Sequence, residues 1–153
     1  MINTMPDGWT LKAFHEFSLD ELYSVLQARS RVFVVEQDCA YLDLDDADQQ
    51  ALHLCYWEHN QLLGYLRILP AGATFDECSI GRVLTSETAR ARGLGKQIMQ
   101  RAIDECRKRF PKQRLRIGAQ NYLRAFYASL GFVADSDVYD EDGIPHVEMV
   151  LQL

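Results

Sequence analysis

The clearest hydrophobic pattern along the chain lies between residues 80 and 110. Residues 80–85 have the β-branched content of a strand. Gly93 and Gly95 then interrupt any regular pattern. After them, apolar residues recur at the spacing of one helical face, at Ile98, Met99, Ala102, Ile103, Cys106 and Phe110. The pattern predicts a strand, a tight glycine turn and an amphipathic helix that begins at the glycines.

Other patterns predict further strands and helices around this unit. An S-x-x-E capping box at residues 18–21 opens a helix that continues or re-forms through residues 32–37. Residues 51–57 and 62–69 form a hairpin, and a strand at 78–85 returns beside it. The remaining predicted elements are strands at 9–14, 115–120 and 146–151 and a helix at 121–130. Because no linker or repeat interrupts the chain, we expect an α/β fold in one domain over residues 1–153.

Composition narrows the classes of function. The chain is 48% apolar but has no run near the roughly 20 apolar residues of a membrane span, so we expect no membrane partner. A net charge of −6 disfavours nucleic acid, which binds basic surfaces. The four cysteines lack the spacing of zinc ligands, which predicts buried thiols and no metal. Residues 1–8 lack the basic and apolar parts of a secretory signal, so we expect a cytoplasmic protein.

The glycine turn has the features of a phosphate-binding site. A helix that begins there presents unpaired backbone N–H groups and the positive end of its dipole, and Arg90, Arg92 and Lys96 add charge around it. A P-loop is excluded because Gln97 replaces its hydroxyl residue. A dinucleotide fingerprint is excluded because Ile98 stands where its third glycine belongs. The pattern therefore indicates another class of phosphorylated ligand.

Two motifs identify the class by resemblance. Residues 90–95, RARGLG, resemble the [QR]-x-x-G-x-[GA] pyrophosphate loop of the GNAT acetyltransferases. Residues 126–132, FYASLGF, resemble the F-Y-x-x-x-G-F ending of the same family, in the usual order and at the usual distance. Residues 29–37 and 139–146 are also similar to segments of the ElaA-like branch. The chain is thus identified as a member of the GNAT superfamily that resembles ElaA-like proteins.

The resemblance implies a mixed central sheet of about six or seven strands flanked by helices. It implies acetyl-CoA as the cosubstrate, no metal, and transfer of the acyl group to a primary amine by direct attack. The pantetheine arm would run along residues 83–85, and the pyrophosphate would rest on the N–H groups of residues 92–96. The residues expected to bind the cofactor are Val83, Leu84, Thr85, Arg90, Ala91, Arg92, Gly93, Leu94, Gly95, Lys96, Gln120, Asn121, Phe126 and Tyr127. Gln120 departs from the family, which often has Asn at this position.

Four residues are candidates for catalysis. By resemblance, Tyr127 would donate a proton to the departing thiolate, although it would otherwise be a packing residue beside Phe126. The resemblance also favours Glu36 as the base that deprotonates the amine, the alternative being a helix-end carboxylate that faces water. His53 and His146 are rival bases because histidine titrates near neutral pH. For His53, a hydrogen-bonded structural histidine is the alternative.

Two charged features have open interpretations. The acidic run of Asp43, Asp45, Asp46 and Asp48 is interpreted as a solvated loop, or alternatively as an attractor of a cationic acceptor. Arg67 lies inside a predicted strand and needs an acidic partner, for which we expect Glu36 or Glu77.

Alternatives to acetyl transfer also stay open. One is a CoA-binding sensor without turnover, and another is transfer of a longer acyl chain, as in homoserine-lactone synthases, whose R-x-x-V-F opening is somewhat similar to residues 29–33. The sequence does not select among protein lysine, N-terminal, polyamine, amino-sugar and drug amines as acceptors. It also leaves open whether two copies form a homodimer.

Overall fold

The computed structural model describes residues 5–153, which form one eight-stranded sheet with helices packed against it. The strands are β1 (Gly8–Ala13), β2 (Leu52–Glu58), β3 (Gln61–Leu69), β4 (Cys78–Thr85), β5 (Arg114–Gln120), β6 (Val133–Ala134), β7 (Tyr139–Glu141) and β8 (Ile144–Gln152). The helices are α1 (Leu19–Arg29), a π-helix (Ser30–Glu36), α2 (Leu94–Arg109) and α3 (Arg124–Ser129). The prediction of a cytoplasmic protein is based on residues 1–8. Residues 1–4 of that segment lie outside the described residues.

The sheet has the order β1–β2–β3–β4–β5–β8–β6, with β7 paired to β8. Strands β1 to β4 are antiparallel neighbours, as the hairpin pattern predicts. The turn between β2 and β3 has His59 and Asn60 at φ 48° and 61°, the left-handed pair that a two-residue hairpin requires. Strand β5 instead lies parallel to β4, which it reaches through α2. The predicted α/β fold is therefore confirmed.

Helix α2 covers the sheet with the predicted apolar face. Ile98, Met99, Ala102, Ile103 and Cys106 are all buried against side chains of β3, β4 and β5. Burying such a face is the main source of stability for a helix of this length, because helix propensity alone is marginal in water. The same packing fixes the start of α2 beside the end of β4, where the glycine loop lies.

Helix α1 begins at the predicted capping box. The Glu21 amide donates to Ser18 Oγ at 3.1 Å, and the Ser18 amide donates to Glu21 Oε1 at 3.2 Å. The helix continues into the π-helix of residues 30–36, in agreement with the prediction that it continues or re-forms. The π-helix carries Glu36 to the end of β4.

The C-terminal part contains more strands than expected. Strand β6 has two residues and β7 has three, and β7 turns into β8 at Asp142 and Gly143, both with left-handed backbones. Segments this short display no period of hydrophobic and polar residues, so the sequence pattern predicted six strands, and the resemblance about six or seven, instead of eight. The extra hairpin places β7 over the edge of β8.

The interpretation of the acidic run as a solvated loop is wrong. Asp43 and Asp48 are each only 6% exposed, and the run folds against the end of α1 and the middle of β3. Arg67 pairs with Asp45 and Asp48. The expectation that Arg67 pairs with Glu36 or Glu77 is therefore also wrong. A buried guanidinium needs carboxylates that are buried with it, and this loop supplies them.

The four cysteines are free and buried, as predicted. They lie in four places, with Cys39 after the π-helix, Cys55 in β2, Cys78 in β4 and Cys106 in α2. Burial raises the pKa of the thiols of Cys55, Cys78 and Cys106. Within residues 5–153, no group of histidines, cysteines and carboxylates has a metal-binding arrangement, and no helix is long and apolar enough to cross a membrane.

Candidate active site

A cavity of about 1220 Å³ opens between β4 and β5. The two strands pair through Cys78 with Leu115 and Ser79 with Arg116, and then diverge. Beyond Ser79, the edge of β4 that faces β5 has no pairing with that strand. The polar backbone groups on that edge are available to an extended ligand, which can bind them as a neighbouring strand would. The cavity is lined by residues 80–85 of this edge.

Strand β4 contains a β-bulge where it borders the cavity. Arg67 of β3 pairs with Gly81, whereas Tyr65 pairs with Leu84, so β4 has one extra residue in this interval. Arg82 adopts φ 53°, in the left-handed region that non-glycine residues rarely occupy. Such a bulge changes the direction of backbone groups that a regular strand would point elsewhere.

The loop before α2 lies at one end of the cavity. Ala91 and Gly93 have φ of 72° and 73°, and Gly93 forms the N-cap of α2. The first N–H groups of α2 therefore lack helical partners, and the positive end of the helix dipole lies beside them. Arg90 and Gly95 line the cavity. An Arg90 guanidinium nitrogen lies 2.5 Å from Glu36 Oε2 and donates to the Thr85 carbonyl oxygen at 3.3 Å.

Several side chains of the loop point away from the cavity. Arg92 pairs with Glu58 at 2.8 Å on the outside of the protein, and Lys96 is exposed. Leu94 is buried against Gly64, where a Cβ on the glycine would meet the leucine at 3.1 Å. Of the predicted cofactor residues in this loop, Arg90 and Gly95 line the cavity, whereas Ala91, Arg92, Gly93, Leu94 and Lys96 do not.

Tyr127 of α3 lies in the wall of the cavity. It is 7% exposed, and its ring packs against Phe126 at 5.1 Å and Phe132 at 6.0 Å between centroids. Burial, with a contribution from Tyr122, raises the pKa of Tyr127 to about 12. The hydroxyl is therefore protonated at neutral pH and has a proton to donate. Both the packing and the cavity-facing interpretations of this residue agree with its position.

His146 of β8 lines the cavity and pairs with Tyr139 of β7. Its Nδ1 lies 2.7 Å from the Ile144 carbonyl oxygen, and its Nε2 lies 3.5 Å from Glu141 Oε2. Because a carbonyl oxygen only accepts, Nδ1 carries the hydrogen, and in the neutral ring Nε2 has a free lone pair. The ring of Tyr139 packs on His146 at 6.0 Å. Both residues line the cavity.

The structure does not bring His53 to the cavity. Its Nε2 donates to the Asp48 carbonyl oxygen at 2.9 Å, and its Nδ1 accepts from the Tyr65 hydroxyl at 2.7 Å. Burial lowers the pKa of His53, which favours the neutral ring that these two bonds require. His53 is thus arranged as a structural histidine of the region around Asp48.

The end of β5 places Gln120 and Asn121 differently. Gln120 lines the cavity, and its amide donates to Gln37 Oε1 at 3.2 Å, which links β5 to the end of the π-helix. The Asn121 side chain lies outside the lining, and its Oδ1 is buried without a hydrogen-bond partner within residues 5–153.

Sequence reasoning did not assign roles to several lining residues. Tyr139 and Glu141 belong to the segment that resembles ElaA-like proteins, but no function was attached to them. Arg82 belongs to the strand at 78–85, yet nothing in its pattern signals a left-handed residue. The adjacent Gly81 is a weak signal for irregularity in a strand.

The cleft between diverging strands and the loop at the start of α2 have close counterparts among solved structures. The chain superposes with a TM-score of 0.89 on an acyl-CoA N-acyltransferase from Pseudomonas aeruginosa, with 42% identity over 94% of this chain and 97% of that one. It superposes with a TM-score of 0.87 on ElaA of Escherichia coli, with 37% identity over 94% and 99% of the two chains. The class of the protein is therefore that of the N-acyltransferases.

Sequence comparison gives the family. The family model described as an acetyltransferase (GNAT) domain matches residues 12–153. Protein ElaA of Escherichia coli K12 is 39% identical over 140 residues, which cover 90% of this chain and 92% of that protein. The chain belongs to the GNAT acetyltransferase family and to its ElaA-like branch, as its motifs predicted. A more distant GNAT acetyltransferase from Elizabethkingia anophelis, solved with acetyl-CoA bound, shares the fold at 17% identity and a TM-score of 0.64 over 97% of this chain and 100% of that one.

Proposed function

We propose that this N-acyltransferase uses acetyl-CoA and transfers the acetyl group to a primary amine. The observation that carries the proposal is the cavity in which the unpaired edge of β4, the loop at the start of α2 and the Tyr127 hydroxyl meet. The unpaired edge of β4 suits a pantetheine arm, and the loop suits a pyrophosphate. The Tyr127 hydroxyl suits a departing thiolate. The acetyl-CoA bound by the distant relative is consistent with the assignment.

The residues present fit an acyl-CoA. Residues 83–85 would bind the pantetheine amides, and the N–H groups of residues 92–96 would bind the pyrophosphate. Arg90 would add charge, with each charge-assisted hydrogen bond worth about 1.5–3 kcal/mol. A Cβ on Gly93 would meet nothing within 4 Å, so glycine serves this position through its φ of 73° and through close approach of the phosphates to the backbone. Phe126 would complete the site from the side of α3, whereas Asn121 lies outside the lining and is not proposed to bind the cofactor through its side chain.

The chemistry is direct acyl transfer. The amine nitrogen attacks the thioester carbonyl carbon, a C–N bond forms, and the carbonyl oxygen becomes an oxyanion near the N–H groups of the β4 bulge. The oxyanion then collapses, the C–S bond breaks, and Tyr127 gives its proton to the departing thiolate. The amine proton passes to a base, and proton exchange with water restores both groups. The products are an N-acyl amine and CoA with a free thiol.

The base has a demanding task. An amine with a pKa near 10.4 is mostly protonated at pH 7, and presenting it in the neutral form costs about 4–5 kcal/mol. We propose His146 as this base, because it lines the cavity and its Nδ1 is bound to the Ile144 carbonyl oxygen, which leaves Nε2, 3.5 Å from Glu141 Oε2, to receive the proton. Glu36 is the second candidate, but Arg90 already holds its carboxylate. His53 is not proposed, because both of its ring nitrogens are bonded.

The end of the cavity around β7 would receive the acceptor. Phe75, Tyr139 and Ile144 supply apolar wall, and Glu141 and Asp142 supply negative charge. This combination suits a cationic amine with an apolar stem. The acidic run of residues 43–48 is not proposed for this purpose, because Arg29, Arg67 and Arg82 pair with Asp43, Asp45 and Asp48, and these are three of its four aspartates. The cytoplasmic location and the homodimer stay predictions.

The test is the initial rate of CoA thiol release from acetyl-CoA across small amines, amino sugars, polyamines and lysine peptides. We expect release with at least one class of amine and a product whose mass is increased by one acetyl group. Acetyl-CoA binding without release from any amine would overturn the proposed transfer and favour a CoA-binding sensor. Release with longer acyl-CoA donors alone would overturn the acetyl assignment.

Variants assign the roles. Tyr127→Phe is expected to lower kcat about 100-fold with little change in the Kd of CoA, because it removes the proton donor but keeps the packing. His146→Asn is expected to lower kcat, because the variant lacks the proposed base. Tyr23→Phe is the matched control, since Tyr23 is an exposed tyrosine of α1 outside the cavity. An unchanged kcat in Tyr127→Phe would remove Tyr127 from the mechanism.

A further inference from the structure

Arg82 combines an unfavourable backbone conformation with a position in the cavity wall. Its φ of 53° lies in the left-handed region, which is unfavourable for a residue with a side chain. Such a conformation persists when surrounding contacts determine it. The contacts that determine it here come from the acidic run of residues 43–48, which lies far from β4 in the sequence.

The Arg82 guanidinium is bound on several sides. Its Nη2 donates to the Asp43 carbonyl oxygen at 3.0 Å. Its Nε lies 2.8 Å from Asp43 Oδ1 and forms an ion pair with it, although Nε makes no hydrogen bond within residues 5–153. The same Nη2 lies 3.4 Å from Asp45 Oδ2. The ring of Tyr41 covers the guanidinium, with 5.6 Å from Cζ to the ring centroid. A side chain bound in this way fixes the direction of its own backbone.

The partners of Arg82 are themselves fixed. Asp43 Oδ2 accepts from Arg29 Nε at 2.8 Å, and Tyr41 donates to Asp43 Oδ1 at 2.6 Å. Arg67 holds Asp45 with both terminal nitrogens, at 2.8 and 2.5 Å. Arg29 is fully buried, so the network has little freedom to rearrange. The acidic run is therefore a rigid anchor and Arg82 is the side chain that attaches the bulge to it.

We propose that Arg82 is a positioning residue for acyl transfer. Anchored by Asp43 and Asp45, it holds the β4 bulge in the conformation that directs backbone N–H groups of residues 83–85 towards the thioester carbonyl. This inference rests on the proposed function. Arg82 acts through the backbone, because the groups that contact its guanidinium are Asp43, Asp45 and the Tyr41 ring. Its side chain is 23% exposed in the cavity wall, so the affinity for CoA distinguishes this role from direct binding of the ligand.

Two substitutions separate the side chain from the backbone. Arg82→Ala removes the anchor but keeps a Cβ that disfavours positive φ, so the bulge is expected to relax. Arg82→Gly also removes the anchor but permits positive φ, so part of the function is expected to return. We expect kcat to fall by about tenfold or more in Arg82→Ala, and to recover partly in Arg82→Gly and Arg82→Lys. The Kd of CoA, which lacks the thioester carbonyl of acetyl-CoA, is expected to stay within about twofold of the wild-type value in all three variants.

A second readout does not depend on turnover. In ¹⁵N-labelled protein, acetyl-CoA and CoA are expected to shift the amide signals of residues 83–85 differently, because one ligand carries the carbonyl. This difference is expected to vanish in Arg82→Ala. The signal difference is measured without an acceptor amine. If the wild-type protein binds acetyl-CoA but shows no turnover, the proposed function fails, yet the role of Arg82 can still be tested by this measurement.

The controls make the result decisive. Asp45→Asn removes one contact of Arg82 from a half-exposed position and serves if Arg82→Ala does not fold. Arg116→Ala removes an arginine of β5 that does not line the cavity, and is expected to leave the signal difference unchanged. Wild-type kcat and wild-type signal differences in Arg82→Ala would overturn the proposal. So would a parallel loss of kcat and CoA affinity, which would indicate that Arg82 binds the ligand.

Discussion

Two clusters of arginines and carboxylates occupy opposite environments in this protein. In the first, which we term the buried cluster, Arg29 and Arg67 share Asp48 at 2.6 and 2.9 Å. In the second, the exposed cluster, Arg116 contacts Glu77, Asp135 and Glu148 at 2.8, 2.6 and 3.1 Å. The pair distances are similar. The side chains of Arg29, Arg67 and Asp48 are 0%, 3% and 8% exposed, whereas Arg116 is 13% exposed and its partners are 23–42% exposed.

The difference teaches that environment decides what an ion pair contributes. In the exposed cluster, water and salt screen the charges, and such pairs typically contribute little. In the buried cluster, each charge has lost its hydration and depends on its partners. The buried cluster therefore adds little net stability, but each of its charges depends on the others. Removal of one member leaves its partners buried without a counter-charge.

Removing Arg29 is expected to have the largest effect. Arg29→Met keeps the length of the side chain but leaves Asp43 and Asp48 buried without their main cation, which typically costs about 3–5 kcal/mol. Urea unfolding followed by fluorescence measures the loss. The matched control is Arg116→Met in the exposed cluster. A loss of less than about 1 kcal/mol in Arg29→Met would mean that the two clusters are equivalent.

Lowering the pH is expected to destabilise the protein through the buried cluster, with a smaller effect than the Arg29→Met substitution. Burial alone would raise the pKa values of Asp45 and Asp48, but other interactions outweigh it and hold both pKa values below the usual range. Arg67 and Arg82 act on Asp45, and Arg29 and Arg67 act on Asp48. Because the folded pKa values lie below the unfolded ones, this stabilisation is complete above about pH 4 and is lost as pH falls further.

The measurement is the free energy of unfolding from about pH 5 to pH 2.5 in high salt. Each proton taken up on unfolding changes it by about 1.4 kcal/mol per pH unit. Asp48→Asn is expected to reduce the slope, whereas Asp135→Asn in the exposed cluster is expected to leave the slope in high salt unchanged. Equal slopes for the wild type and Asp48→Asn would contradict the depressed pKa of Asp48.

The smallest effect is expected from the exposed cluster itself. Arg116→Ala is expected to change the free energy of unfolding by no more than about 1 kcal/mol, and by less when salt is raised to about 0.5 M. Unfolding of the variant and the wild type at low and high salt measures both effects. A loss that is large and independent of salt would show that Arg116 behaves as a buried charge despite its exposure.

The sequence was sufficient for elements with a period or a local signal. Helix α2 repeats its apolar residues over four turns, and Ser18 and Glu21 mark the start of α1 within four residues. It was not sufficient for the partners of Arg67, which lie 22 and 19 residues away in a loop without periodicity. An acidic run has the same composition whether it is solvated or neutralised, so only the tertiary fold distinguishes the two.

The candidate site divides in the same way. Residues in motifs, including Arg90, Gly95 and Tyr127, do reach the cavity. The bulge at Arg82 had no signal, because one extra residue in β4 depends on how β3 pairs with it. His53 and His146 are both histidines on strands, yet one faces the buried cluster and the other faces the cavity. Composition and spacing do not resolve which face a histidine occupies when both faces of a sheet are covered.

The four buried thiols can be used to measure local opening of the structure. A thiol reagent reaches such a side chain only when the surrounding structure opens, so labelling kinetics give local opening free energies without an introduced probe. Cys55 and Cys106 monitor opening of β2 and α2, and Cys39 monitors the segment after the π-helix. Cys78 pairs with Leu115 where β4 and β5 meet. Its labelling rate therefore measures how often the structure opens at the place where β4 and β5 pair.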